Sequence, residues 1–116
     1  MADVVTLIQD MLFSSKVRET AKGLGTSVQS TRDPAALVIA ARAAKLVIID
    51  LRLPAALEAL DALAADETAR TVPSVGFIDH EKTDVMDQAR AKGCGQVMAK
   101  GQFATALPKL LGALRS

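Results

Sequence analysis

Lys45-Leu46-Val47-Ile48-Ile49-Asp50-Leu51-Arg52-Leu53-Pro54 sets four large aliphatic residues in a row, three of them β-branched, directly before a carboxylate. An unbroken apolar run of this length predicts a strand buried on both faces, as in the middle of a parallel α/β sheet. Burying an unpaired charge is expensive. Asp50 is therefore expected where the strand leaves the core, at the carboxyl edge where open α/β sheets place their sites.

The pattern recurs on either side of this stretch. Val4-Val5-Thr6-Leu7-Ile8 is a β-branched run closed by Gln9-Asp10, and Val72 to Ile78 is another, with Pro73 near its start, closed by Asp79 and the lone His80. Gln96 to Ala99 gives a short fifth strand with Lys100 at its end, while the more polar Thr26 to Ser30 suits a sheet edge. Helices are predicted between them. Phe13, Val17, Ala21 and Leu24 recur at helical spacing, with Ser14-Ser15 as cap candidates and Gly23 and Gly25 as stops. Asp33-Pro34 opens an alanine-rich helix through Ala44; further helices are predicted from Ala55 to Ala65, from Thr83 to Lys92 and from Phe103 to Leu114. Strands alternating with helices imply right-handed crossovers and helices on both faces. The expected fold is α/β, a five-stranded doubly wound parallel sheet, in one domain over residues 1–116 without repeat or linker.

Composition narrows the function. With 116 residues, half of them hydrophobic, the chain can bury a core unaided, and its single cysteine, Cys94, excludes an intrachain disulfide and reads as a small packed residue. The net charge of +1, with acids and bases mixed along the chain, gives no footprint for nucleic acid or an anionic membrane. No basic leader precedes an apolar core, and no run approaches the ~18 apolar residues of a membrane span. A soluble, cytoplasmic protein is expected. Without Trp or Tyr, aromatic platforms for bases or sugars are not expected, and carboxylates, lysines and surface shape must carry the function.

The strand ends gather Asp10, Asp50, Asp79 and Lys100 at one edge of such a sheet. Clustered carboxylates repel unless a cation is shared between them, and Mg²⁺ suits oxygen ligands with retained waters. A lysine at the fifth strand can neutralise a phosphoryl group carried by one of the acids. The chemistry suggested is acyl phosphate formation on Asp50.

The segment Leu46 to Pro54 resembles the phosphoacceptor segment of the CheY-like receiver domains of response regulators, and Gly93-Cys94-Gly95-Gln96-Val97-Met98-Ala99-Lys100-Gly101 resembles their approach to the active-site lysine. The resemblance follows the element order of the whole chain and implies a flavodoxin-like fold in a two-component phosphorelay. It implies Asp50 as phosphoacceptor, Lys100 as the phosphoryl contact, and Asp10, Asp50 and the Arg52 backbone carbonyl as Mg²⁺ ligands. The Arg52 side chain is expected to be neutral to coordination. The partners implied are a histidine kinase or phosphotransfer protein and a downstream protein, with a homodimer as a further option. Nucleic acid and membrane are not implied, nor is enzyme activity beyond self-catalysed phosphoryl transfer at Asp50.

Three positions depart from the family pattern. Gln9 replaces the first acid and should weaken Mg²⁺ binding, since ligand charge tunes such sites. Ile78 replaces the phosphoryl-binding hydroxyl residue and Val97 the aromatic that moves with it, so both halves of the switch are aliphatic. Gly101 also replaces a proline, freeing the loop from the family's cis peptide. The reading is an atypical receiver with output through protein interaction. The alternative is a phosphorylation-independent pseudo-receiver acting only as an interaction module.

Blander readings stand beside these. Asp50 is also compatible with a helix cap, Lys100 with a surface lysine, and His80 with a solvated loop. Asp79 is expected to cap the fourth helix rather than to add an acid to the pocket. Gly23-Leu24-Gly25 follows a helix and so fails as a nucleotide loop. A flavodoxin-like ligand-binding domain or enzyme lacks any supporting motif.

Overall fold

The computed structural model describes residues 2–115. Within them lie five parallel strands, β1 (Val4–Leu7), β2 (Val28–Thr31), β3 (Leu46–Asp50), β4 (Ser74–Ile78) and β5 (Gln96–Ala99), in the order β2-β1-β3-β4-β5. Five α-helices alternate with them: α1 (Met11–Gly23), α2 (Pro34–Ala41), α3 (Ala56–Ala65), α4 (Thr83–Ala91) and α5 (Lys100–Gly112). Short 3-10 turns occupy Ala69–Thr71 and Ala113–Arg115. The strand order is the flavodoxin-like one expected from the sequence.

β3 is the central strand, and all five of its residues are buried. Alternate side chains divide between two apolar layers. Val47 and Ile49 join Leu37 and Ala41 of α2, Leu60 and Leu63 of α3 and Met86 of α4. Leu46 and Ile48 join Val17 of α1 and Phe103, Leu107 and Leu111 of α5. The edge strand β2 buries only Thr31, whose hydroxyl donates to the Thr6 carbonyl at 2.7 Å.

The helix starts differ from expectation where a site residue intervenes. α1 begins at Met11, because Asp10 Oδ1 accepts from the Leu12 and Phe13 amides at 2.9 and 3.2 Å. Ser14 and Ser15, the expected caps, lie inside the helix. α5 begins directly at Lys100 and runs through Pro108. A proline there removes one donor without ending the helix, since the Phe103, Leu107 and Leu111 stripe holds it to the sheet. Cys94 is buried, its thiol donates to the Gln96 carbonyl at 3.3 Å, and burial pushes its pKa up, so it packs as expected.

All three phenylalanines of the chain meet beneath the carboxyl edge. Phe77 stacks on Phe103 with centroids 4.5 Å apart, and Phe13 stacks on Phe77 at 5.0 Å. Each ring comes from a different element, β4, α5 and α1. The stack thus joins the two helices of one layer to the sheet and forms a dry floor below the acids.

At the opposite end, Asp66 joins α2 to the end of α3. Its Oδ1 accepts from the Thr68 and Ala69 amides at 3.0 and 2.8 Å, and Arg42 donates to its Oδ2 at 2.7 Å. The Arg42 guanidinium, with these amides, holds the Asp66 carboxyl down at about 2, below the ordinary value of 3.8. A depressed carboxylate adds stability above the unfolded pKa and loses it as pH falls through the folded one. Asp66→Asn should therefore melt a few degrees below wild type at neutral pH, and the gap should close between pH 3.8 and about 2. Circular dichroism melts across that range check it.

Candidate functional site

The strand order reverses between β1 and β3, and a crevice opens outside the carboxyl ends of the strands at such a switch point. Leu7 of β1 lies opposite Ile49 of β3, so Asp10 and Asp50 emerge side by side. Asp50 is 1% exposed. Its backbone is held in the sheet opposite Phe77, and the next residue, Leu51, donates its amide to the Phe77 carbonyl at 3.0 Å. Gly76 makes room for the Leu51 side chain, since a Cβ there would lie 2.9 Å from Leu51 Cδ1.

Arg52 binds both acids. Its amide donates to Asp50 Oδ1 at 3.1 Å, its Nε lies 3.5 Å from the same oxygen, and its guanidinium NH2 donates to Asp10 Oδ2 at 2.8 Å. The Phe13 amide, then the Leu12 amide and the Arg52 guanidinium, hold the Asp10 carboxyl below the usual carboxylate range against partial burial. Partial burial opposes the charge of Arg52, but the Asp50 and Asp10 carboxylates outweigh it and raise the guanidinium above its ordinary value. The expectation that Arg52 contributes its carbonyl while its side chain stays neutral to the site thus missed the group nearest both acids. The signal was present in the sequence, since residue i+2 of a tight turn lies within reach of the carboxylate at i.

Lys100 and Asp79 form a second pair. Ile78 lies opposite Ala99 across β4 and β5, so the residues that follow are neighbours, and Lys100 Nζ sits 3.2 Å from Asp79 Oδ1. The expected cap role of Asp79 is corrected: Lys82 occupies the N-cap position of α4 without a side-chain cap, and the Asp79 carboxylate turns to the lysine. Lys100 Nζ also lies 5.6 Å from the Phe13 ring centroid, next to the residue whose amide binds Asp10. Salt bridges within 4 Å join Lys100 to Asp79, not to Asp50.

The remaining sequence candidates fall around these pairs. Gln9 is exposed and lines a depression with Arg32, Leu53 and Pro54, apart from the acids. Ile78 is buried, and it packs in the same apolar layer as the half-buried Val97. His80 is exposed, 4.0 Å from Glu81. Peptide bonds are trans throughout the described residues, including those around Gly101.

One polar atom of the site is unsatisfied. Asp50 Oδ2 is buried and has no hydrogen-bond partner among the described residues, so its lone pairs are unmatched within the fold. A divalent cation fits this arrangement poorly. Arg52 already occupies the space between the two available carboxylates, engaging Asp50 Oδ1 and Asp10 Oδ2.

A scan against protein-family models gives no match, and a search of curated proteins gives none either. Solved structures do match. The receiver domain of a sensor histidine kinase from Pseudomonas aeruginosa PAO1, solved with a magnesium ion in its active-site cleft, superposes with a TM-score of 0.79. That match has 18% identity and covers 99% of this chain and 98% of that one. A response regulator from Hahella chejuensis gives 0.80 at 19% identity, covering 98% and 95% of the two chains. A chemotaxis response regulator of Vibrio cholerae gives 0.78 at 19% identity over 98% of each. These structures establish the class of fold: the chain folds as CheY-like response regulator receiver domains do. Among the described residues, no helix is long and apolar enough to cross a membrane.

The energetics of Asp50 give a test of this geometry. Desolvating the carboxylate costs several kcal/mol, and attraction to a cation at this separation returns roughly 4 kcal/mol at an effective dielectric of 20, so the two nearly cancel. Two carboxylates share the one guanidinium, and the charge left over decides the sign. Asp50→Asn keeps the Oδ1 acceptor for the Arg52 amide and removes the buried charge. It should raise the melting temperature in metal-free buffer by a few degrees. A fall of several degrees would instead mean that the ionised carboxylate holds the fold together.

Proposed function

We propose that this chain is an atypical receiver module of a two-component system, in which Asp50 accepts a phosphoryl group from a histidine kinase or phosphotransfer protein. The observation that carries the reading is the buried carboxylate at the switch point, one oxygen without a partner among the described residues and the Arg52 guanidinium beside the other. Asp50 Oδ2 attacks the phosphorus of a phosphohistidine. The new O–P bond forms as the N–P bond breaks, and the imidazole leaves with a proton from solvent. Arg52, whose Nε lies 3.5 Å from Asp50 Oδ1, and Lys100, at the end of β5, are the cations proposed to offset the charge of the phosphoryl oxygens, a role for which oriented cations are effective. Release of phosphate by hydrolysis of the acyl phosphate closes the cycle, and no other turnover is proposed.

The output is proposed to pass through a protein partner. A second reading is favoured by one observation: Ile78 and Val97 share an apolar layer and offer no hydroxyl or aromatic edge to reposition around a phosphoryl group. On that reading the chain is a pseudo-receiver, and partner binding is independent of Asp50 chemistry.

Acetyl phosphate and beryllofluoride separate the two. The receiver reading expects a mass gain of one phosphoryl group with acetyl phosphate, absent in Asp50→Asn. It also expects beryllofluoride to shift the amide signals of Asp50, Lys100 and Ile78. Unchanged mass and unmoved signals at saturating reagent, with Mg²⁺ supplied, would leave only the pseudo-receiver reading.

A further inference from the structure

We infer that the Arg52 guanidinium is a tethered cation occupying the position between Asp10 and Asp50, so that the site is half neutralised without metal and admits a divalent ion only by expelling Arg52. The inference concerns the site of the proposed function, but its test reads metal occupancy alone and stands whether or not Asp50 is phosphorylated.

Four observations lead to it. The guanidinium donates to Asp10 Oδ2 at 2.8 Å while Nε stays within 3.5 Å of Asp50 Oδ1, so one side chain spans both acids. Asp10 Oδ1 is committed to the first turn of α1 through the Leu12 and Phe13 amides, which leaves Oδ2, the oxygen Arg52 holds, as its only outward ligand. The position of Arg52 is fixed from its own backbone, since its amide binds the same carboxylate that its side chain approaches. Gln9, where a third oxygen charge would strengthen a metal site, is uncharged and exposed, and lines a depression with Leu53 and Pro54.

The chemistry favours the tethered ion. Mg²⁺ dehydrates reluctantly and gains from each carboxylate it neutralises. Here one of those two charges is already offset by a guanidinium that touches both acids, is weakly hydrated and never deprotonates. Arg52 is attached two residues from Asp50, so its local concentration does not depend on solution conditions. A divalent ion must displace it to reach both acids. With Arg52 removed, two carboxylates and retained waters are the minimal set on which Mg²⁺ is ordinarily held.

The test is a titration with MgCl2 alone, followed by amide shifts of residues 10–13 and 50–52 and by melting temperature. Wild type should show no saturable shift and no thermal gain up to about 10 mM, above the range of weak oxygen-ligand sites. Arg52→Met keeps the chain length and removes the charge. It should melt lower than wild type in metal-free buffer, recover with Mg²⁺, and bind the ion at least about tenfold more tightly, which is 1.4 kcal/mol. Arg52→Lys, which keeps the charge but not the fork that spans both acids, should bind Mg²⁺ more tightly than wild type and less tightly than Arg52→Met. Selective broadening of the same amides by MnCl2 in unmutated protein gives a reading that does not depend on either variant folding. Saturable binding in wild type with the affinity of Arg52→Met, equal lack of binding in both, or selective Mn²⁺ broadening at low concentration in wild type would each overturn the inference.

Discussion

A carboxylate whose chain position forces it under the surface dominates this domain. Asp50 ends the most buried strand of the sheet, and hydrogen bonding to β4 leaves it no freedom to retreat toward solvent. Water cannot solvate it, so the surrounding chain must. The tight turn that follows supplies the Arg52 amide and guanidinium, and Arg52 in turn draws in Asp10, which caps α1. One buried charge thus ties β3, the turn after it and the start of α1 into a single polar unit resting on the phenylalanine stack.

This arrangement changes the balance between fold and chemistry at the switch point. Structures of the same fold include one with a magnesium ion coordinated in its active-site cleft. Here an ion built into the chain meets the acids. Lys100, at the end of the last strand, engages Asp79 across the β4–β5 register instead of reaching Asp50. Asp10 and Asp79 each find a cation within the chain, and Asp50 Oδ2 is the buried carboxylate oxygen left without a partner among the described residues.

Much of this was legible in the sequence because it rests on patterns with strong local physics. The aliphatic run before Asp50, the Asp33-Pro34 helix start and the glycine at the end of α4, with its φ of +93°, each left one structural answer. Helices on both faces followed from the strand–helix alternation, and the flavodoxin-like strand order from the resemblance to receiver domains. Contacts that depend on long side chains in three dimensions were less legible. Asp79 looked like a helix cap because caps follow acids in sequence, whereas the register across β4 and β5 gave it a lysine instead. Asp10 took the cap role expected of Ser14 and Ser15, since the first free amides of α1 lie closer to it. The three phenylalanines come from separate elements, and no periodicity connects them. Arg52 was read for its backbone because the turn is local, while the reach of its side chain to Asp10, 42 residues away in sequence, is tertiary.

The central claim is that a guanidinium from the chain itself bridges Asp10 and Asp50. A crystal structure of wild type grown in excess MgCl2 tests it most directly. The account predicts Arg52 within hydrogen-bond distance of both carboxylates, with no octahedral density between them. An octahedral ion on Asp10, Asp50 and the Arg52 carbonyl, with the arginine side chain turned out to solvent, would contradict it.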